Sequence, residues 1–142
     1  MFSPGYEIPD GETLYRYAKK DAFPPGQTEL PVSIFNDPNL SCDWERLRNS
    51  FLNSFHIGEG KDHVVAISVC DEIRNPKNPK REGSVVADWK QEIIYDPISE
   101  EDDPIHGANE AHCLIRGKKK AAVIDAIRRN SKLIYPHNFN NK

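Results

Sequence analysis

Eleven prolines and eight glycines cut the 142-residue chain into short apolar runs, and that punctuation limits what it can fold into. Proline cannot donate to a strand ladder and disrupts a helix interior, so the breaks leave little room for long helices. The runs between them are strand-sized. Residues 14–18 (LYRYA), 63–68 (HVVAIS) and 111–116 (AHCLIR) are rich in aromatic, β-branched and aliphatic side chains suited to a pleated surface. Residues 30–35, 85–95 and 131–136 read as further strands, with Pro31 at the start or on an edge.

Two segments carry helical periodicity. Trp44, Leu47, Phe51, Leu52 and Phe55 recur at spacings of three and four, which predicts a helix over residues 42–55. Residues 118–130 form the second expected helix, with Ala122, Val123, Ala126 and Ile127 facing inward. Strands, helix, strand, short helix, strands and helix, joined by long loops, favour α+β over a regularly alternating α/β sheet. The expectation is one compact domain over residues 1–142, mostly antiparallel sheet. A loosely held N-terminal arm (1–12) and a polar C-terminal tail (136–142) flank it.

The length suits one domain with a core that needs no metal or disulfide staple. Cys42, Cys70 and Cys113 contain no C-x-x-C pair, and their odd number argues against a disulfide framework. They read as free thiols of a reducing compartment. The N-terminus lacks the pattern of a secretory signal, and no run approaches the eighteen or so apolar residues of a membrane span. A cytoplasmic protein without membrane contact is expected. The net charge of −3 argues against a wholly basic nucleic-acid binder and turns attention to how charge is distributed.

The distribution is uneven. Lys118, Lys119 and Lys120 stand at the expected start of the second helix, where the helix dipole disfavours cations. A bound phosphate would reverse that sign, because backbone N–H groups and ammonium groups can face it together. Gly117 would permit close approach to the backbone. The stretch lacks the G-x-x-x-x-G-K-[ST] of a P-loop. Arg116 adjoins it, and Arg74, Lys77, Lys80 and Arg81 make a second basic group in a proline-broken loop. These nine residues are the candidate phosphate contacts, with nucleic acid as the foremost partner. Solvated lysines are the ordinary alternative.

His106 and His112 flank GANEA, but H-x5-H is no metal-ligand spacing, and strand alternation sends His112 and Cys113 to opposite faces. No metal site and no cofactor are expected. His112 is instead a candidate for acid–base work on a phosphodiester.

LYRY followed by VSIF resembles the opening of ADP-ribosyltransferase-type and RES-type domains. There the resemblance implies that Arg16 holds an NAD phosphate, with Ser33 a weaker match, although no recognisable catalytic Glu motif follows. Across most of the chain, a Tyr-Arg, a Ser-x-x-Phe, an Asn-x-Ala-His (Asn109, Ala111, His112) and a Gly-Lys (Gly117, Lys118) resemble a family of small bacterial proteins. That likeness implies a bacterial source and a compact domain, and brings no activity with it. The expected function is an accessory protein that contacts a phosphate-bearing partner. The alternatives are a small enzyme acting on NAD or a phosphodiester through Arg16 or His112, and an interaction subunit of a larger complex.

Overall fold

The computed structural model describes residues 2–23, 25–26, 29–81 and 84–136. Six strands form one sheet: β1 Thr13–Ala18, β2 Asn39–Trp44, β3 His63–Ser68, β4 Glu92–Tyr95, β5 His112–Arg116 and β6 Ser131–Tyr135. Their order is β4-β5-β2-β1-β3-β6, and every pairing is antiparallel. The fold is therefore α+β and mostly sheet.

Alternation along the strands explains the two unlike faces. Leu14, Leu40, Cys42, Trp44, Val65, Ile67, Ile93, Cys113 and Ile115 supply one face and are almost wholly buried. The helix α4, Ala121–Arg129, covers that face with Val123, Ile124 and Ile127. Burying one such aliphatic side chain contributes about 1.5–3 kcal/mol. The other face is thinner and more polar. Tyr15, Tyr17 and Val64 pack there beneath Phe51, Ile57, Ile134 and Tyr135.

The helix expected over residues 42–55 does not form. Its first residues belong to β2, where Leu40, Cys42 and Trp44 are buried at a spacing of two. The chain then makes three separate turns: α1 Glu45–Arg48, a 3₁₀ turn Phe51–Asn53, and α2 Phe55–Gly58. Asn49 ends α1 with a φ of 65°. The hydroxyls of Ser50 and Ser54 then accept from the backbone N–H groups of Leu52 and His56, starting new turns. Such short-range side-chain bonds compete with a continuous helix. Residues 30–35 similarly form a 3₁₀ turn, Val32–Ile34, instead of a strand. A one-turn helix, α3 Asp71–Arg74, lies between β3 and β4.

The expected helix over residues 118–130 is present but shorter. Lys120 is its N-cap, so Lys118 and Lys119 precede it. The N-terminal segment is docked along the outer edge of β4 instead of lying loose. Gly5 N–H donates to Tyr95 O (2.8 Å), Ile8 N–H to Ile93 O (2.9 Å), and Tyr95 N–H to Tyr6 O (2.9 Å). Ile8 is fully buried, and the edge that β4 would otherwise expose is covered. Of the expected tail, residues 137–142 lie outside the described residues. Among the described residues, no helix is long and apolar enough to cross a membrane.

Candidate phosphate-binding cleft

A cleft opens where two neighbouring strands part. β1 pairs with β2 only at Leu14–Trp44 and Tyr15–Asp43. Beyond that point β1 stays paired with β3 to Ala18, while β2 stays paired with β5 to Asn39. Arg16 spans the gap. Its Nε donates to Ile34 O (2.9 Å) and its Nη1 to Ser41 O (3.0 Å). A cavity of about 300 Å³ lies there, lined in part by Arg16, Tyr17, Ser41, His56, Lys61 and His112. A second hollow of about 370 Å³ shares Arg16, Tyr17 and Lys61 with the first and reaches Ser33.

The floor is a buried polar network around Asp43, which is 1% exposed. Tyr17 Oη (2.9 Å) and Arg48 Nε (3.0 Å) donate to Asp43 Oδ2, and Asn109 Nδ2 donates to Oδ1 (3.0 Å). Asn109 Oδ1 in turn accepts from Arg48 Nη2 (2.6 Å) and from Ala111 N–H (3.1 Å). The Asp43 charge is thus matched by Arg48 and held by further donors, as a buried carboxylate requires. Burial and the Asp43 carboxylate hold the Tyr17 phenol protonated, well above its ordinary range.

Two histidines line the same cavity in different settings. The His56 ring lies 4.8 Å from Tyr17 and 4.1 Å from Phe55. Burial, followed by the Lys61 charge, pushes its pKa down to about 4, so it is neutral at neutral pH. His112 sits opposite Asp43 in the β2–β5 register. Its Nδ1 is 2.7 Å from Asp96 O, which can only accept, so this nitrogen carries the proton. The Asp96 carboxylate is 3.4 Å from the same nitrogen. Nε2 is then the nitrogen left for a ligand. The loop after β4 closes one side of the cavity, with His106 stacked on Phe55 at 4.0 Å and paired with Glu59 and Asp103. The bond to Asp103, and then that to Glu59 working against desolvation, raise the His106 pKa.

Two of the three lysines ahead of α4 are occupied elsewhere. Lys118 Nζ is 2.6 Å from Asp88 Oδ2. Lys119 Nζ turns back from the helix and donates to Ile115 O (2.9 Å), Gly117 O (2.9 Å) and Pro38 O (3.3 Å). Burial lowers its pKa to about 8. Lys120 is exposed. The dipole conflict is thus met by distance and by carbonyl partners. Gly117 has a packing role: at its φ of +151°, a Cβ would sit 2.6 Å from Gln91 Nε2 and 2.8 Å from Lys90 O. Arg116 pairs with Glu92 (2.9 Å). Arg74 is taken up by Glu7, Asp10 and Ile8 O. Lys77, Lys80 and Arg81 are exposed on the next loop. None of these nine residues lines the cleft, whereas Arg16 and His112 both do.

His56 in the one-turn helix α2 and Lys61 just after it belong to no sequence motif, and the fold brings them to the cavity beside Arg16. Among the described residues, no group of three His, Cys, Asp or Glu is placed to hold a metal ion. Cys42 faces Cys113 across β2 and β5, both are free thiols, and burial pushes the Cys42 pKa up to about 12. No family model, no curated protein and no solved structure matches the chain.

Proposed function

We propose that the protein binds a phosphate-bearing small molecule of the nucleotide class in the cleft between β1 and β2. One observation carries this reading. Arg16 is a half-buried guanidinium fixed by two main-chain carbonyls. Among the described residues, ion pairs engage Arg46, Arg48, Arg74, Arg116, Arg128 and Arg129, and none reaches Arg16. A guanidinium oriented in this way presents its remaining N–H donors to an acceptor with little reorganisation, and phosphate oxygens match that fork. Lys61 adds a second cation shared by both hollows. The cavity volumes fall in the range of small-molecule sites.

The phosphate-bearing partner expected from the sequence is retained, and its seat moves from the lysines to the cleft. A cytoplasmic location would bring nucleotides to it. A second reading, an enzyme acting on NAD, draws on the two hollows meeting at Arg16, where a dinucleotide would place its pyrophosphate. Protein labelled with ¹⁵N in arginine side chains, titrated with ADP and with NAD at low salt, tests both. The Arg16 Nε–H resonance moves on binding, and Arg16→Ala weakens affinity about 10–100-fold, the range of a lost charge-assisted bond. Release of nicotinamide from NAD would favour the second reading. Absence of binding by ADP, NAD and pyrophosphate alike would remove both.

A further inference from the structure

Resting on that binding reading, we propose that the cleft cleaves ribonucleotide phosphodiesters, with His56 and His112 exchanging the protons of an internal phosphoryl transfer. Two imidazoles and two cations line one cavity, and the imidazoles are prepared for opposite tasks. His56 lies against Tyr17 and Phe55 and lines the cavity. Its neutral form can accept a proton. His112 is held at Nδ1 by Asp96 O, with the Asp96 carboxylate near enough to offset a positive ring. Its Nε2 can then carry a proton into the cavity.

The step balances without a further reactant. The ribose 2′-hydroxyl gives its proton to His56 as its oxygen bonds to phosphorus. The bond from phosphorus to the 5′-oxygen breaks, and that oxygen takes the proton from His112 Nε2. Products are a 2′,3′-cyclic phosphate and a free 5′-hydroxyl. Arg16 and Lys61 face the charge on the non-bridging oxygens. His56 is left protonated and His112 neutral, so hydrolysis of the cyclic ester with reversed roles restores the start. A deoxyribose chain lacks the attacking hydroxyl and cannot react.

The test uses the full chain, a mixed-sequence RNA oligonucleotide and its all-deoxy counterpart, in the presence of a chelator. Fragments ending in 2′,3′-cyclic phosphate are expected from RNA, and the DNA binds uncut. His56→Phe keeps the ring packing, and His112→Asn keeps a donor for Asp96 O. Each lowers the cleavage rate by about 100-fold or more, within the span of acid–base catalysis, and by more than it weakens DNA binding. Arg16→Ala weakens both. A wild-type protein that binds the DNA through Arg16 yet forms no cyclic ends overturns the cleavage proposal and leaves the binding reading standing. Cleavage equally fast in both histidine variants overturns it too. No binding of either oligonucleotide or of ADP removes cleavage and binding together.

Discussion

The stretch before α4 and the cleft between β1 and β2 both bring cations together, but most of those before α4 are already matched. Arg116, Lys118 and Lys119 are neighbours in sequence, and each already meets a carboxylate or main-chain carbonyls. Arg16 and Lys61 are far apart in sequence and meet at a cavity. Arg16 has carbonyls to orient it and, among the described residues, no carboxylate in ion-pair contact with it, although Asp37 and Asp43 line the same cavity. Density of charge along a chain therefore says less about a binding site than whether each charge is already matched.

The largest effect expected from disturbing this contrast lies under the cleft. Asp43→Ala leaves the half-buried Arg48 without its carboxylate and strips Tyr17 and Asn109 of an acceptor. A loss of about 3–5 kcal/mol is expected in chemical denaturation. A loss under about 1 kcal/mol would mean that the network does not hold the cleft floor. Next comes Gly117→Ala, which forces a Cβ against Gln91 and Lys90. About 2–4 kcal/mol of stability should go, with ligand affinity of the folded protein unchanged. Lost affinity with intact stability would return Gly117 to a phosphate-binding role. Lys119→Met leaves three carbonyls without their ammonium donor and should cost about 1–2 kcal/mol, again sparing affinity.

A smaller effect concerns two histidines on either side of Phe55. The His56 pKa, held near 4 in the fold, lies below its ordinary value of 6.5. Its contribution to stability is complete above pH 6.5 and is lost as pH falls toward 4. The His106 pKa is raised, so its contribution is complete below 6.5 and is lost as pH rises through the raised value. Groups acting on His56 include Lys61, Asp43, Arg16 and His106 itself. Thermal melts of His56→Phe should show a weaker fall in Tm between pH 6.5 and 5 than the wild type, and melts of His106→Ala a smaller loss of Tm as pH rises above 6.5. Parallel curves for all three would contradict the assignment.

Much of the sheet is legible in the sequence because its strands alternate, or run apolar, over five or six residues between breaks. β1, β3, β5 and β6 fall where the apolar runs place them. The segment around Trp44 is not legible. Trp44 ends a strand whose spacing of two, through Leu40 and Cys42, overlaps a helical spacing continued by Leu47 and Phe51. A single residue that satisfies both periods hides the boundary, and Asn49 and Ser50 then break the helix that the stripe suggests. Arg16 and His112 can be singled out from sequence as reactive types. Lys61 and His56 cannot, because their relation to Arg16 arises from pairing between distant strands.

The most direct measurement sets the two cation groups against each other. ADP affinity is measured by calorimetry at low and at moderate salt for the wild type, for Arg16→Ala, and for a variant with Lys118, Lys119 and Lys120 all changed to Ala. Arg16→Ala is expected to weaken binding about 10–100-fold, and the triple variant to change it less than about twofold. A triple variant that abolishes binding while Arg16→Ala binds as tightly as the wild type would contradict the account and place the site at α4.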